Sequence, residues 1–409
     1  MKRLYGLRGE VKHYAWGGRR RSAGAPSPFI ADLLGVEAPV GRPFAELWLG
    51  AHPQAPSLVS LPDGREKPLD RLIAADAQFW LGPALTGQGI AALPFLLKIL
   101  DSEKPLSIQA HPDRETAIRL HRQDPEHYPD ANHKPEIAIA LDSGLRAFCG
   151  FRPVAEVLAD WHRLPPLGRF FKDDAPTFAK AGPARAFARL LQAGSEAVGK
   201  LLSELSEILL ANDRPEARDR CFLELLQEYP GDRGCLSPYF LNLLSLEAGE
   251  SVFLGANRLH AYLQGTIIEC MANSDNVVRA GLTGKFVDCE NLLAMLDYRT
   301  GTPPVSAGEQ RGAGLRVYRG DASEFQVELI EGGAQETVLN SDNAVSIMLV
   351  LSGCAEFAGD GWRQVGGRGS AWLWPGALPE LRMRSRDQSL CLIRARPRMR
   401  PPSVGNRPG

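Results

Sequence analysis

The chain has 409 residues, 44% of them hydrophobic, and a net charge of −1. That length can bury sizeable cores and predicts two or three domains, while the near-neutral balance excludes bulk electrostatic attraction to nucleic acid or to a membrane surface. No apolar run reaches bilayer length and the start MKRLYGLRGEVKHYAW lacks the continuous apolar stretch of a signal peptide, so a cytoplasmic protein is expected.

Cysteine usage agrees with that expectation. Cys149, Cys221, Cys235, Cys270, Cys289, Cys354 and Cys391 stand singly with no C-x-x-C pair, which argues against a disulfide framework or a cysteine zinc site and for reduced thiols. The first chemistry-bearing segment is KPLSIQAHP. In an extended chain residues i and i+2 share a face, so Gln109 and His111 project to the same side. The other His-Pro pair, His52-Pro53, is read as incidental. Next comes HKPEIAIAL, which sets Glu136 on an alternating strand with Ile137, Ile139 and Leu141 on the opposite face.

From Pro153 to about Gly234 the period changes to a helical one. Val198, Leu201, Leu202, Leu205, Ile208 and Leu209 trace one face. Asn212 and Asp213 before Pro215 read as a helix start, Cys221, Phe222, Leu225, Leu226 and Tyr229 as its buried stripe, and Pro230-Gly231 as its end. Beyond this block NRLHAYLQG places His260 between a Gly/Asn turn and a short apolar run. Two imidazoles, one carboxylate and one amide oxygen are a donor set that suits zinc. With Glu136 the only anionic member, about one positive charge remains on the ion, which keeps it a Lewis acid able to stabilise an alkoxide.

The segment IIECMANSDNVVRAGLTGKF follows. It carries Glu269 on a strand, Arg279 within an otherwise apolar strand where an unpaired guanidinium is costly, and Lys285 at a strand end. No P-loop and no G-x-G-x-x-G turn is present, so phosphate recognition of the nucleotide-fold kind is not indicated. After Asp297 the stretch RTGTPPVSAGEQRGAG reads as a linker or long loop. FQVELI, AVSIMLVLSG and SAWLWPG then predict a second β-sandwich or jelly roll. It has no histidine, so no second metal site of the same type is expected there. The tail RARPRMRPPSVGNRPG is basic and proline-rich and reads as a poorly ordered terminus.

Taken together, YAWG (Tyr14 to Gly17), AELWLGAHPQAPS, LSIQAHP, HKPE, LHAYLQG and IIECMANSDNVVRAGLTGKF resemble, in order over roughly the first three hundred residues, the type I, zinc-dependent mannose-6-phosphate isomerases (phosphomannose isomerases). The resemblance places the family's zinc ligands on Gln109, His111, Glu136 and His260, its active-site arginine on Arg279 and its acidic proton-transfer residue on Glu269. It links Ser107 and Lys285 to the substrate phosphate and Lys134 to a further active-site position. Leu259 and Gly284 depart from the family, standing where many relatives have proline.

The resemblance implies a mainly β fold in which a cupin-like jelly-roll catalytic domain (1–152 and 235–300) carries an inserted helical domain (153–234). A C-terminal jelly roll (301–398) and a basic tail (399–409) complete it. It also implies one Zn²⁺ per chain, a monomer, a small sugar phosphate as substrate and no nucleic-acid or membrane partner. The implied reaction, interconversion of mannose 6-phosphate and fructose 6-phosphate through an enediol(ate), fits the residue types. Removing a proton beside a carbonyl leaves negative charge for zinc and a fixed cation to hold, with a carboxylate to carry the proton. An iron-dependent cupin oxygenase with two His and one carboxylate, or a catalytically silent sugar-phosphate-binding cupin, are the alternatives.

Overall fold

The computed structural model describes residues 3–333, 335–387 and 389–399. The basic tail expected over 399–409 lies, past Met399, outside the described residues. The chain is mainly β, in two jelly-roll-like halves with a helical block emerging from the first.

The first half is organised around one long strand, His260–Ala272. Its latter part runs antiparallel between Glu136–Ala140 and Phe95–Ser102, and Glu46–Gly50 extends the sheet beyond Phe95–Ser102. Its first residues pair instead with Leu145–Phe151 and with Gln109 of Ile108–Ala110. Between the two parts stands Gly265, at φ +123°, and the register with Leu145–Phe151 shifts at Gln264. A Cβ there would lie 3.0 Å from the Leu145 Cα, so only glycine lets the strand bend and change layers at this point. Central strands such as FLLKILDS are buried on both faces, which is why they read as continuous apolar runs rather than alternating ones.

Helices fill 153–234 as the changed period predicts, from Val154–Arg163 to Ala217–Glu228. The helix Ser195–Leu210 buries Val198, Leu201, Leu202, Leu205 and Leu209, whereas Ile208 is 42% exposed and lies off the buried face. The final helix starts later than Asn212-Asp213 predicts. Glu216 caps it, in a reciprocal box in which Asp219 accepts from the Glu216 backbone N–H. Its apolar face continues into Phe240, Leu259, Ala261 and Val278 of the first half, forming one core with the back of the site-bearing strands.

The expected linker after Asp297 is not wholly irregular: Val305–Ser306 pairs with Ser251–Leu254, and Glu309–Gln310 with Leu315–Tyr318. FQVELI, AVSIMLVLSG and SAWLWPG form strands Gln326–Glu331, Ser346–Ser352 and Ala371–Trp374. These belong to a nine-stranded sheet facing a four-stranded one across Met348, Val350, Phe357, Trp374 and Leu392. The nine-stranded sheet also takes in Tyr5–Arg8, which pairs with Ala371–Trp374 on one side and Leu58–Ser60 on the other. Leu97, Ile99, Ile137, Ile139 and Ile268 of the first half share a core with Val327, Ile347, Leu349 and Ile393 of the second.

Candidate metal centre and adjoining cavity

Three strands deliver the metal-capable groups. Glu136 opens the strand Glu136–Ala140, His260 opens the strand next to it, and Gln109 is the backbone partner of both His260 and Arg279. The face opposite Glu136, carrying Ile137 and Ile139, packs into the shared core, which fixes the carboxylate toward the interior. His111, His260 and Glu136 are each 1% exposed, and their ligand atoms all lie within 4.8 Å of one another. Glu136 sits 3.2 Å from the His111 Nε2 through Oε1 and 3.5 Å from the His260 Nε2 through Oε2.

The outward ring nitrogens are spoken for. His111 Nδ1 lies 2.8 Å from the Asn276 carbonyl and His260 Nδ1 2.9 Å from that of Arg258, so each Nδ1–H donates and each Nε2 keeps its lone pair. Those two Nε2 atoms and Glu136 Oε2 are buried and make no hydrogen bond among the described residues. Orphaned acceptors converging on one point are costly unless a cation sits between them. Burial holds the His111 imidazolium down to about 4, so the ring is a neutral ligand at physiological pH. Burial opposes ionisation of Glu136, yet the Lys134 ammonium at 3.0 Å holds its carboxyl well below the usual range. Two imidazoles, a carboxylate and the neighbouring Gln109 amide therefore fit a zinc ion in type.

Beside this group opens a cavity of about 750 Å³, whose wall includes Ser107, Gln109, Lys134, Glu136, Glu269, Arg279 and Lys285. Every candidate site residue from the sequence is thus either in the wall or, for His111 and His260, beside Glu136. Glu269 is 3% exposed rather than a surface strand residue. Burial and the Glu136 charge raise its carboxyl, and Lys98, directly across the sheet with Nζ 3.3 Å from Glu269 Oε2, opposes that rise. Arg279 is half-buried, and among the described residues its guanidinium makes no hydrogen bond or ion pair. Lys285 is exposed at the cavity rim.

Several wall residues escaped the sequence reading. Lys98 bridges Glu269 and Glu46, the latter 3.5 Å away, and lies 4.6 Å from the centre of the Trp48 ring, while Trp48 Nε1 donates to Glu46. Burial alone would depress the Lys98 ammonium, but Glu46, Glu269 and Glu136 hold it above the usual lysine range. A lysine in the middle of the apolar run FLLKIL was the available signal, since such a charge must be paired. Tyr262, two residues after His260 and on its face, presents a buried hydroxyl to the cavity near Glu269, and burial with that carboxylate raises it well above the ordinary tyrosine range. His52 is not incidental either: it is buried, with Nε2 3.3 Å from Asp275, a cavity-wall carboxylate that also accepts from Gln54.

Comparison with known proteins converges on one family. The model of the phosphomannose isomerase type I catalytic domain matches residues 4–154. Mannose-6-phosphate isomerase of Macaca fascicularis is 38% identical over 86% of this chain and 88% of its own length, and the Homo sapiens enzyme 37% over the same shares. Among solved structures, a phosphomannose isomerase variant from Salmonella typhimurium superposes with a TM-score of 0.86 at 28% identity, covering 97% of this chain and 100% of its own. A mannose 6-phosphate isomerase bound with zinc and yttrium gives 0.85 at the same identity and coverage.

Proposed function

The chain belongs to the type I phosphomannose isomerases, and from that premise we propose that it interconverts D-mannose 6-phosphate and D-fructose 6-phosphate through an enediol(ate) in the cavity beside Glu136. The observation that carries the site assignment is the convergence on one point of three buried ligand atoms from His111, Glu136 and His260 that have no hydrogen-bond partner among the described residues. Gln109 completes the set. His111, Glu136, His260 and Gln109 would hold a zinc ion, which would supply Lewis acidity to stabilise the developing negative charge.

The remaining work falls to the protein's own groups. Glu269, whose carboxyl is raised by burial, takes the proton from one sugar carbon and returns it to the other. Lys98 fixes its orientation and Lys134 adds positive charge next to Glu136. Arg279, half-buried and unpaired among the described residues, presents a permanent charge to the developing enediolate and to the phosphate, with Ser107 and Lys285 completing the phosphate contact. In this reading the helices of 153–234 are an insertion in the catalytic unit formed by 1–152 and 235–300, and 301–398 is a separate unit. Seven free cysteines support a reducing compartment, and among the described residues no helix is long and apolar enough to cross a membrane.

A coupled isomerase assay with metal analysis tests the proposal. Chelation is expected to remove one zinc per chain and abolish turnover, and zinc is expected to restore both. Full turnover in rigorously metal-free protein, or turnover of molecular oxygen in place of isomerisation, overturns it.

A further inference from the structure

Two loops meet behind the metal-capable group: 130–136, which leads through Lys134 to Glu136, and 273–279, which leads to Arg279. The second loop provides the Asn276 carbonyl that receives the His111 Nδ1 proton. Asn276 is fully buried, and its Nδ2 donates to the Asp130 carbonyl at 2.7 Å, to Asp130 Oδ1 at 3.2 Å and to the Asn132 carbonyl at 2.9 Å. The Asp130 carboxylate further accepts from Ser274 Oγ at 2.9 Å, from the Asp275 backbone N–H at 2.8 Å and from that of Asn132 at 2.9 Å. One side chain therefore collects donors from three successive residues of the far loop and from its own.

We propose that Asp130 is a positioning residue for the metal centre, setting zinc affinity by locking the turn 274–276 whose carbonyl orients His111. The inference rests on the zinc assignment above. An imidazole ligand binds well only when its second nitrogen is held in the right tautomer and plane, and loss of such outer partners typically costs about 10- to 100-fold in metal affinity. Among the described residues Asp130 makes no hydrogen bond to His111, Glu136 or His260. Its carboxylate oxygens take charge-assisted hydrogen bonds, and an amide in its place would turn one acceptor into a donor facing the N–H of Asp275 or the hydroxyl of Ser274.

The test uses the full chain loaded with zinc, comparing the parent with Asp130→Asn, Ser274→Ala and His111→Ala by competition against a chromophoric chelator and by the visible spectrum after cobalt substitution. Asp130→Asn is expected to weaken zinc binding about 10- to 100-fold and to shift the cobalt bands, and Ser274→Ala to do the same to a smaller extent. A loop held for stability alone would lower the melting temperature of the metal-free protein and leave the zinc dissociation constant unchanged, which overturns the inference. Should Asp130→Asn fail to fold, parental affinity and spectrum in Ser274→Ala overturn it equally. Parental affinity in His111→Ala would instead show that the zinc assignment itself is wrong.

Discussion

At the scale of single residues, the site separates charge that is neutralised from charge that is left available. Lys98 and Lys134 are buried against carboxylates, whereas the Arg279 guanidinium is unpaired among the described residues. This asymmetry sets two outcomes apart. Glu269→Gln keeps shape but removes the proposed base, so kcat is expected to fall at least about 10²-fold, with zinc content unchanged and solvent exchange at the transferred hydrogen slowed in parallel. Arg279→Lys keeps the charge but loses the planar fork; kcat and affinity for a phosphosugar analogue are both expected to fall while zinc stays bound. Normal turnover in either variant would remove that residue from the reaction. The gathering of His111, Glu136 and His260 around one point, with Gln109 in the adjoining cavity wall, was legible in the sequence because strand periodicity and ligand chemistry both speak locally. Lys98 was not singled out, because its role depends on a cross-strand neighbour more than a hundred positions away in the chain, Glu269.

At the scale of elements, the strand Phe95–Ser102 carries Lys98 in its middle and Asp101 near its end. Asp101 accepts from the Phe29 backbone N–H at 2.8 Å, and burial raises its carboxyl to about 6. A folded-state pKa above the unfolded value means that the group favours the fold when protonated, below about 4, and that this contribution is lost as pH rises through about 6. The loss is at most about 3 kcal/mol. Asp101→Asn, which retains an acceptor for Phe29, is therefore expected to unfold at higher urea than the parent at pH 8 and to close the gap by pH 4. Equal midpoints at pH 8 would contradict the burial argument. Element boundaries were the less legible part. Ile208 fits the apolar spacing yet lies off the buried face, and the helix after Pro215 waits for the Glu216–Asp219 box, since a capping pair outranks an Asn-Asp turn signal.

At the scale of the whole molecule, the two halves are joined by backbone as well as by the shared core. Ala84 N–H donates to the Asn343 carbonyl, Val345 N–H to that of Leu81 and Gly376 N–H to that of Trp80. Gly82 stands in the middle at φ 90° and ψ 161°, a conformation nearly confined to glycine, and a Cβ on it would lie 2.2 Å from the Asn343 oxygen. Gly82→Ala is expected to cost at least about 2 kcal/mol of unfolding free energy while leaving zinc stoichiometry at one per chain, as measured by urea titration and metal analysis; an unchanged midpoint would show that the junction yields. None of this was visible in the sequence, because a glycine between Leu81 and Pro83 signals a turn but not what passes over it.

The pairing of Tyr5–Arg8 with Ala371–Trp374 has a consequence for how the protein comes into being. On a ribosome adding about 5 to 20 residues per second, the first strand emerges roughly 20 to 70 s before the partner that closes its sheet. Until then one edge of Tyr5–Arg8 can be satisfied by Leu58–Ser60, but the other stays open, a ready template for another chain. That edge of Tyr5–Arg8 therefore stays unsealed during synthesis until Ala371–Trp374 has been made.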